Sequence, residues 1–244
     1  MPRFFADGVK DGVIKITGED AGHIFRVLRG KPGDTLTVCD GRGTDYEARI
    51  KEAGASEIIL EAVSQSPTQS EPKLSLTLYQ ALPKADKMEL IIQKCVELGV
   101  YRVVPVNTER CVVKIEKNKE AKKLDRWRKI SESAAKQSGR GLIPEIGSVM
   151  DFGAALKEAA QNGRAIIPYE LERDRSLRDF LDGLSDEERA GHLAVFIGPE
   201  GGFTESEIVR ATEQGVVPIT LGKRILRTET AGMAVVANVM FYIS

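Results

Sequence analysis

The strongest constraint on the fold is a repeated alternation, from residue 74 onward, of short apolar runs with longer amphipathic stretches. The apolar runs have the length of buried strands and are LSLTLYQ (74–80), YRVVPVN (101–107), RAIIPYE (164–170), LAVFIG (193–198) and VVPITLG (216–222). Strands that alternate with helices favour a mainly parallel sheet with helices on both faces. This part of the chain is therefore predicted to be an α/β domain.

Two of the intervening helices are well defined by their apolar spacing. One is predicted over 86–99, ends at Gly99, and carries on one stripe Met88, Ile91, Ile92, Cys95 and Leu98. The other, over 120–138, is basic and is expected to bury Leu124, Trp127, Ile130 and Ala134. Both have the one-sided apolar face of a helix that covers a sheet.

The region before residue 64 follows a different pattern. The runs DGVIKIT, DTLTVCDGRGTDYEARI and SEIILEAV alternate apolar and polar residues and are separated by Gly-Asp and Asp-Gly pairs. This alternation predicts a small antiparallel sheet or barrel. The polar stretch SQSPTQSEPK (64–73) is predicted to link it to the α/β domain.

Composition narrows the class of protein. The chain is 42% hydrophobic and 29% charged, and it has no run of roughly 18 apolar residues that could span a bilayer. No signal peptide is recognisable, so a cytoplasmic protein is expected. Cys39, Cys95 and Cys111 show no zinc-site spacing with one another or with His23 and His192, so reduced thiols and no metal are predicted.

The net charge of −1 conceals a local excess of basic residues. Between Arg110 and Arg140 the chain has eleven basic residues and four acidic ones, a local net charge of +7. Such a run is either a solvated helix face or a surface for a polyanion, and the sequence leaves both open.

Three strand ends carry unusual loops, namely PYE (168–170), GPEGG (198–202) and LGKRILRTETA (221–231). In parallel sheets ligands bind beyond the carboxyl ends of the strands, so these loops are expected to line one cavity. GPEGG matches neither the dinucleotide fingerprint nor the phosphate loop, and Glu200 disfavours an anion. The loop is predicted to hold a neutral or cationic small molecule; a tight turn alone is the other interpretation.

The flanks of these loops give two local predictions. Thr204 followed by Glu207 forms a capping box, which places a helix start at Glu205. Ile225 and Leu226 interrupt an otherwise polar loop, so they form an apolar wall for a flat ligand, are buried under the last helix, or do both.

IGPEGGFTESE and LGKRILRTETA closely resemble the SPOUT class of S-adenosylmethionine-dependent RNA methyltransferases, and specifically the bacterial family that methylates N3 of a uracil in 16S ribosomal RNA. Three further stretches agree: HIFRVLRGKPGD (23–34), KMELIIQKCVELGV (87–100) and RWRKISESAAKQSGRGLIPEI (126–146). The resemblance implies an RNA-binding, PUA-like β-barrel over 1–70 and a SPOUT domain over 74–244 whose C-terminal part forms a trefoil knot. It also implies a homodimer, and uracil 1498 of the small ribosomal subunit as the target.

The resemblance further implies which residues contact S-adenosylmethionine and RNA. The implied donor-binding residues are Tyr169, Glu170, Ile197, Gly198, Pro199, Glu200, Gly201, Gly202, Leu221, Gly222, Ile225, Leu226, Arg227, Thr230 and Ala231. The implied RNA-binding residues are Arg3, His23, Arg26, Arg29, Lys122, Lys123, Arg126, Lys129 and Arg140.

Methylation of a uracil N3 requires loss of its proton and stabilisation of the negative charge on the carbonyl oxygens. Arg227 is the candidate for the second task, and Glu200 and Glu229 are candidates for the first. For Glu229, a favourable interaction with the dipole of the last helix is an alternative role. A catalytically silent RNA-binding protein, a nucleotide-dependent enzyme, and a methyltransferase for another RNA position stay open as alternatives.

Overall fold

The computed structural model describes residues 3–6 and 8–243. Contacts between α-carbon atoms divide the chain into two compact units. The first holds the described residues up to Glu71 together with Ala135–Ile143, and the second holds Pro72–Ala134 and the described residues from Pro144 onward. The chain thus leaves the second unit once, at the end of a long helix, to complete the first.

The first unit is built on a five-stranded sheet and one helix. Strands β1 and β3 pair in parallel, and the other pairs are antiparallel, in the order β1-β3-β4-β5-β2. The elements are β1 (Arg3–Phe5), β2 (Val13–Thr17), α1 (Gly18–Arg26), β3 (Thr35–Cys39), β4 (Thr44–Ala53) and β5 (Glu57–Pro67).

Alternation along the strands produces the core of this unit. In β2, Ile14 and Ile16 are buried while the residues between and beside them are exposed. They pack in one cluster with Ile24 of α1 and Leu60 of β5. Burying one such side chain contributes about 1.5–3 kcal/mol, so the predicted period-two pattern accounts for the sheet.

Two features of the first unit depart from the prediction. Helix α1 lies in a region for which the sequence pattern predicts only strands and turns. The predicted linker is also ordered, because β5 continues to Pro67 and pairs Ser66 with Asp45 of β4. Its remaining residues are bound as well: Glu71 accepts hydrogen bonds from the amides of Gly141 (3.0 Å) and Leu142 (3.3 Å).

The second unit contains the predicted parallel sheet with flanking helices. Its strand order is β12-β10-β11-β6-β7-β8, with β9 also paired to β7, and every pairing is parallel. Its strands are β6 (Ser75–Ala81), β7 (Arg102–Asn107), β8 (Glu145–Ile146), β9 (Met150–Asp151), β10 (Arg164–Pro168), β11 (His192–Ile197) and β12 (Val217–Ile219). Its helices are α2 (Lys87–Glu97), α3 (Lys117–Ser138, whose last residues belong to the first unit), α4 (Phe152–Gln161), α5 (Leu177–Asp182), α6 (Asp186–Arg189), α7 (Glu205–Glu213) and α8 (Thr228–Ile243).

The two helices predicted from apolar spacing are confirmed. The predicted stripe of α2 is buried except for Leu98, which is half-buried, and Gly99 follows the helix with φ of +102°. Leu124, Trp127 and Ala134 of α3 are buried as predicted, Ile130 is only half-buried, and the exposed face of that helix is basic. No helix in the part of the chain that the structure describes is long and apolar enough to cross a membrane.

Strand order decides where the loops of the second unit meet. Strand β10 lies between β12 and β11, with Pro168 opposite Ile219 and Ile166 opposite Val195. All three strands run in the same direction, so their carboxyl ends open onto one edge of the sheet. Helix α8, which follows β12, packs against α2 and β6 on the far side of β11.

Candidate functional site

The three loops predicted to line a cavity lie together in the structure. The amide of Tyr169, after β10, donates a hydrogen bond of 3.0 Å to the carbonyl of Ile219 in β12. The hydroxyl of Thr228, at the start of α8, donates one of 2.6 Å to the carbonyl of Gly198, after β11. Each loop is therefore bound to a neighbouring strand or loop, so the three loops lie side by side, while the cavity between them stays a prediction.

The glycine-rich loop is a tight turn with little free space around its backbone. The amide of Gly202 donates to the carbonyl of Pro199 (3.0 Å), and Gly202 has φ of +66°, which favours glycine. A Cβ atom on Gly202 would lie 2.9 Å from Oε1 of Glu170. A Cβ atom on Gly198 would lie 3.2 Å from the ring of Phe203. The glycines therefore permit both the turn and its close packing.

The carbonyl groups of this loop are largely used within the protein. Those of Gly198 and Pro199 accept from Thr228 and Gly202, and that of Gly201 accepts a hydrogen bond of 2.7 Å from Nη1 of Arg110. A ligand at this loop would therefore meet few unsatisfied acceptors on its backbone.

Helix α7 anchors the far end of the turn, and its predicted capping box is confirmed. The Thr204 hydroxyl accepts from the Glu207 amide (3.2 Å), and the Glu207 carboxylate accepts from the Thr204 amide (2.9 Å). Glu207 is only 1% exposed and also accepts from the amide of Glu109 (2.8 Å). One carboxylate thus joins the start of α7 to the loop that follows β7.

A buried polar chain lies beneath the loops. Gln80, the penultimate residue of β6, is fully buried, and its Nε2 donates to Oγ1 of Thr228 (2.9 Å) and to the carbonyl of Ala81 (3.0 Å). The hydroxyl group of Thr228 in turn donates a hydrogen bond to the carbonyl of Gly198. Because buried polar groups that lose their partners are costly, this chain fixes the ends of β6, β11 and the start of α8 relative to one another.

Two carboxylates, those of Glu200 and Glu229, contact the same ammonium group of Lys87. Nζ of Lys87 lies 2.9 Å from Oε1 of Glu200 and 3.3 Å from Oε2 of Glu229. Oε1 of Glu200 also accepts from the amide of Lys84 (3.1 Å). The cluster carries two carboxylates and one ammonium group, so its net charge at neutral pH is −1.

The environment of Glu200 favours its ionised form. Partial burial opposes ionisation, but the hydrogen bonds from Lys87 and from the Lys84 amide outweigh it and hold the pKa of Glu200 below its usual value. The same contact with Glu200 raises the pKa of Lys87. A base should have a pKa near the working pH, so this geometry favours an ion-pair role for Glu200 over the predicted role as base.

The loop before α8 presents two different surfaces. Ile225 is 88% exposed, so the interpretation that it is buried under the last helix is wrong, whereas Leu226 is half-buried. Arg227 is exposed, and its carbonyl accepts the amide of Ala231 (2.8 Å) as α8 begins. Among the described residues, no ion pair involves its guanidinium group.

Sequence reasoning missed Lys87, Gln80 and Arg110, which all contact the predicted loops. Gln80 lies near the end of β6 and Lys87 begins α2, so the two residues flank the connection between these elements. The apolar pattern of β6 and α2 predicts which side chains form the core but assigns no role to these two polar side chains. A lysine in the first turn of a helix that follows a parallel strand lies at the ligand-binding edge of the sheet, which was the available signal.

The predicted RNA-binding residues of the first unit fall into two groups. His23, Arg26 and Arg29 are exposed at the end of α1, and Arg29 has φ of +54°, a conformation costly for a residue with a side chain. Arg3 instead binds Asp45 (2.5 Å), and Arg140 is 4% exposed and binds Glu71 (2.5 Å). Both of these arginines stabilise the unit, so we leave them out of the RNA surface.

The predicted RNA-binding residues of α3 are on its solvent face. Lys122, Lys123 and Lys129 are exposed, and Arg126 is exposed but paired with Glu89 (2.7 Å). These side chains are exposed whereas Leu124 and Trp127 are buried, so the helix has both a basic surface and a buried face.

The three cysteines are free thiols, and they differ in burial. Cys39 and Cys95 are buried free thiols, and Cys111 is a half-buried one. Across residues 3–6 and 8–243, no three His, Cys, Asp or Glu side chains are grouped as metal ligands would be.

Comparison with known proteins places the chain in a family. A family model described as an RNA methyltransferase domain matches residues 69–240, and one described as an RNA methyltransferase PUA domain matches residues 16–63. Ribosomal RNA small subunit methyltransferase E of Bacillus subtilis is 32% identical over 99% of this chain and 96% of its own. The protein of the same name from Synechocystis is 34% identical over 94% of this chain and 73% of its own.

Solved structures agree with this placement. The crystal structure of ribosomal RNA small subunit methyltransferase E from Neisseria gonorrhoeae, bound to S-adenosyl methionine, has a TM-score of 0.85 and 34% identity, covering 99% of this chain and 97% of that one. A putative methyltransferase from Legionella pneumophila, in complex with the same cofactor, has a TM-score of 0.83 and 32% identity over 98% and 96% of the two chains. This chain therefore belongs to the RNA methyltransferase family, among relatives of ribosomal RNA small subunit methyltransferase E.

Proposed function

We propose that this chain transfers a methyl group from S-adenosylmethionine to N3 of uracil 1498 in 16S ribosomal RNA of the small subunit. The observation that carries the proposal is the junction of the three loops at the carboxyl ends of β10, β11 and β12. The chain belongs to the RNA methyltransferase family, and two relatives of known structure are described with this methyl donor bound.

The charges and surfaces of the loops suit this donor. The cluster of Glu200, Glu229 and Lys87 has a net charge of −1, which favours a cation such as a sulfonium over a phosphate. Ile225 and Leu226 offer an apolar surface to a flat ring. The donor-binding residues that we propose are the fifteen given above, from Tyr169 and Glu170 through Ile197–Gly202 to the segment between Leu221 and Ala231.

S-adenosylmethionine supplies an electrophilic methyl group, and Arg227 acts on the nucleophile. Its exposed guanidinium group is not held in an ion pair within the described chain, so it is available to donate to a uracil carbonyl oxygen. Stabilising the negative charge on that oxygen favours loss of the N3 proton, which leaves a lone pair on N3 that can attack the methyl carbon as the methyl–sulfur bond breaks. Arg227 is therefore the catalytic residue that we propose.

The two candidate bases take a different role. Glu200 and Glu229 both contact Lys87, and the lowered pKa of Glu200 makes it a weak proton acceptor. We infer that both carboxylates shape the donor site, and that Arg227 promotes transfer of the proton to water.

RNA recognition is divided between the two units in this proposal. In this proposal the PUA-like RNA-binding domain spans residues 1–70, with His23, Arg26 and Arg29 as its contacts, and the SPOUT methyltransferase domain spans residues 74–244, of which Ala135–Ile143 pack with the first unit. On the second unit the contacts are Lys122, Lys123, Arg126 and Lys129. The partner is 16S ribosomal RNA or the small subunit, in the cytoplasm.

Two further features belong to the proposal. Strand β12 lies at the edge of the sheet beyond β10 and β11, whereas α8, which follows it, packs against α2 and β6, and we propose a trefoil knot over this segment. A homodimer is also proposed. It is supported by the resemblance of the sequence to the family.

The proposal is tested by incubating the protein with methyl-labelled S-adenosylmethionine and small ribosomal subunits that lack the modification. We expect label in 3-methyluridine, identified by mass spectrometry of the digested nucleosides. Label in another nucleoside would contradict the proposed target while leaving methyl transfer in place.

Calorimetry separates the remaining alternatives. We expect S-adenosylmethionine to bind and ATP not to bind. RNA binding without donor binding or methyl transfer would instead identify a catalytically silent RNA-binding protein.

A further inference from the structure

Lys87 connects two chain segments that are distant in sequence. It is the first residue of α2, and its ammonium group contacts Glu200 in the loop after β11 (2.9 Å) and Glu229 in the first turn of α8 (3.3 Å). Lys87, Glu200 and Glu229 all have side chains that are 28% exposed or less. The contact is therefore partly shielded from water, where ion pairs are screened less than at an open surface.

We propose that Lys87 is a positioning residue for the methyl donor, which holds the loop of Glu200 and the start of α8 at the separation that the donor requires. This inference rests on the proposed function of the same site. Lys87 acts through the two carboxylates and does not contact the reacting atoms.

A second set of contacts between the same segments supports this role. Gln80, at the other end of the β6–α2 connection, binds Thr228 of α8, and Thr228 binds Gly198 of the glycine-rich loop. The amide of Lys84 donates to Glu200 within the same connection. Residues 80–87 thus contact both donor loops at a buried point and at a partly exposed one.

The charge of the donor distinguishes a positioning role of Lys87 from simple Coulomb attraction, because the two predict opposite changes in donor affinity when the ammonium group is removed. S-adenosylmethionine carries a net positive charge at neutral pH, and removal of the Lys87 ammonium group would change the cluster from −1 to −2. Coulomb attraction alone would then make the donor bind more tightly. A positioning role predicts weaker binding, because loss of the shared ammonium group releases the loop of Glu200 from the start of α8.

The experiment compares donor binding by calorimetry in the wild-type protein and in Lys87→Met, Lys87→Arg and Lys84→Met. We expect Lys87→Met to weaken donor binding about tenfold, as for loss of a charged hydrogen bond. Lys87→Arg, which retains the cation, should recover most of the affinity. Lys84→Met is the matched control, since it removes a nearby exposed lysine side chain and retains the amide that binds Glu200.

A double variant separates charge from position. Lys87→Met combined with Glu229→Gln restores the cluster to −1 but does not restore the connection, so its donor binding should stay weak. Unchanged or tighter binding in Lys87→Met, with wild-type thermal stability, would overturn the inference. Failure of the wild-type protein to bind the donor would instead contradict the proposed function itself.

Discussion

At the scale of single residues, the sequence identifies the charged side chains but does not show which groups they bind. Arg3, Arg140 and Arg227 are all arginines in stretches that resemble the family, yet Arg3 and Arg140 bind carboxylates within the first unit and Arg227 is exposed at the donor loops. Sequence alone did not separate them, because a partner such as Glu71 lies 69 residues away and is brought close only by the fold.

Arg227→Ala tests the proposed catalytic residue. Loss of a preorganised donor to a developing charge lowers the turnover number by about 100- to 1,000-fold in comparable sites. We expect a loss of that size in methyl transfer at saturating donor, with donor affinity by calorimetry changed less than threefold, roughly 0.6 kcal/mol.

The matched control for this variant is Arg178→Ala, which removes an exposed arginine of α5 that has no assigned role. Equal turnover in the wild-type and Arg227→Ala proteins would rule out the proposed role of Arg227.

The three thiols should differ in reactivity. Burial is the largest cause that raises the pKa of Cys39 to about 11 and that of Cys95 to about 12, so both stay protonated at pH 8 in the folded protein. Cys111 is half-buried. We expect iodoacetamide at pH 8 to label Cys111 first, as measured by peptide mass spectrometry, and to label all three thiols in urea. Early labelling of Cys95 in the folded protein would contradict the buried environment described here.

At the scale of elements, the sequence pattern predicted the helices that are stabilised by contacts between residues close in sequence. The α2 stripe and the capping box of α7 each depend on residues three or four positions apart, which the sequence shows directly. Helix α1 was missed because it is short and contains Gly18 and Gly22, which are poor helix formers. The polar composition at the end of β5 predicts a linker. The segment is a strand because it pairs with β4, a long-range contact that the local sequence does not show.

Glu207→Ala tests how α7 is anchored. The change removes the cap of the helix and leaves the amides of Thr204 and Glu109 without their acceptor, so we expect a loss of about 2 kcal/mol in the free energy of unfolding. Urea unfolding can be followed by fluorescence of Trp127, the one tryptophan of the chain, which is buried in the second unit.

The control for this measurement is Glu205→Ala, an exposed residue of the same first turn, for which we expect a loss of roughly 0.5 kcal/mol from the helix dipole. Similar losses in the two variants would mean that the buried carboxylate contributes no more than first-turn charge.

At the scale of the whole molecule, the class of fold was predictable and the strand order was not. Alternating strands and helices predicted a parallel sheet, and its binding edge followed from the direction of the strands. The position of β10 between β11 and β12 depends on pairings such as Ile166 with Val195 and with Val217, and the return of α8 to β6 depends on the contact between Gln80 and Thr228, 148 residues apart. The charged cluster at Lys87 is a consequence of that order, which explains why the sequence did not indicate it.

The distribution of charge gives the last prediction, for RNA binding by the complete chain. Lys122 and Lys129 are seven positions apart on α3 and so share one exposed face of the helix. Each lysine that neutralises a phosphate contributes about 0.7 to 0.9 to the slope of log affinity against log salt concentration. Replacing both by Gln should lower that slope by about 1.4 to 1.8 in fluorescence-anisotropy titrations with a 16S ribosomal RNA fragment. The control, Lys15→Gln with Lys51→Gln, removes the same charge from lysines that pair with Glu57 and Glu61, and should change the slope by less than about 0.5. Equal changes in the two double variants would mean that RNA responds to net charge alone, and α3 would then be only a solvated helix.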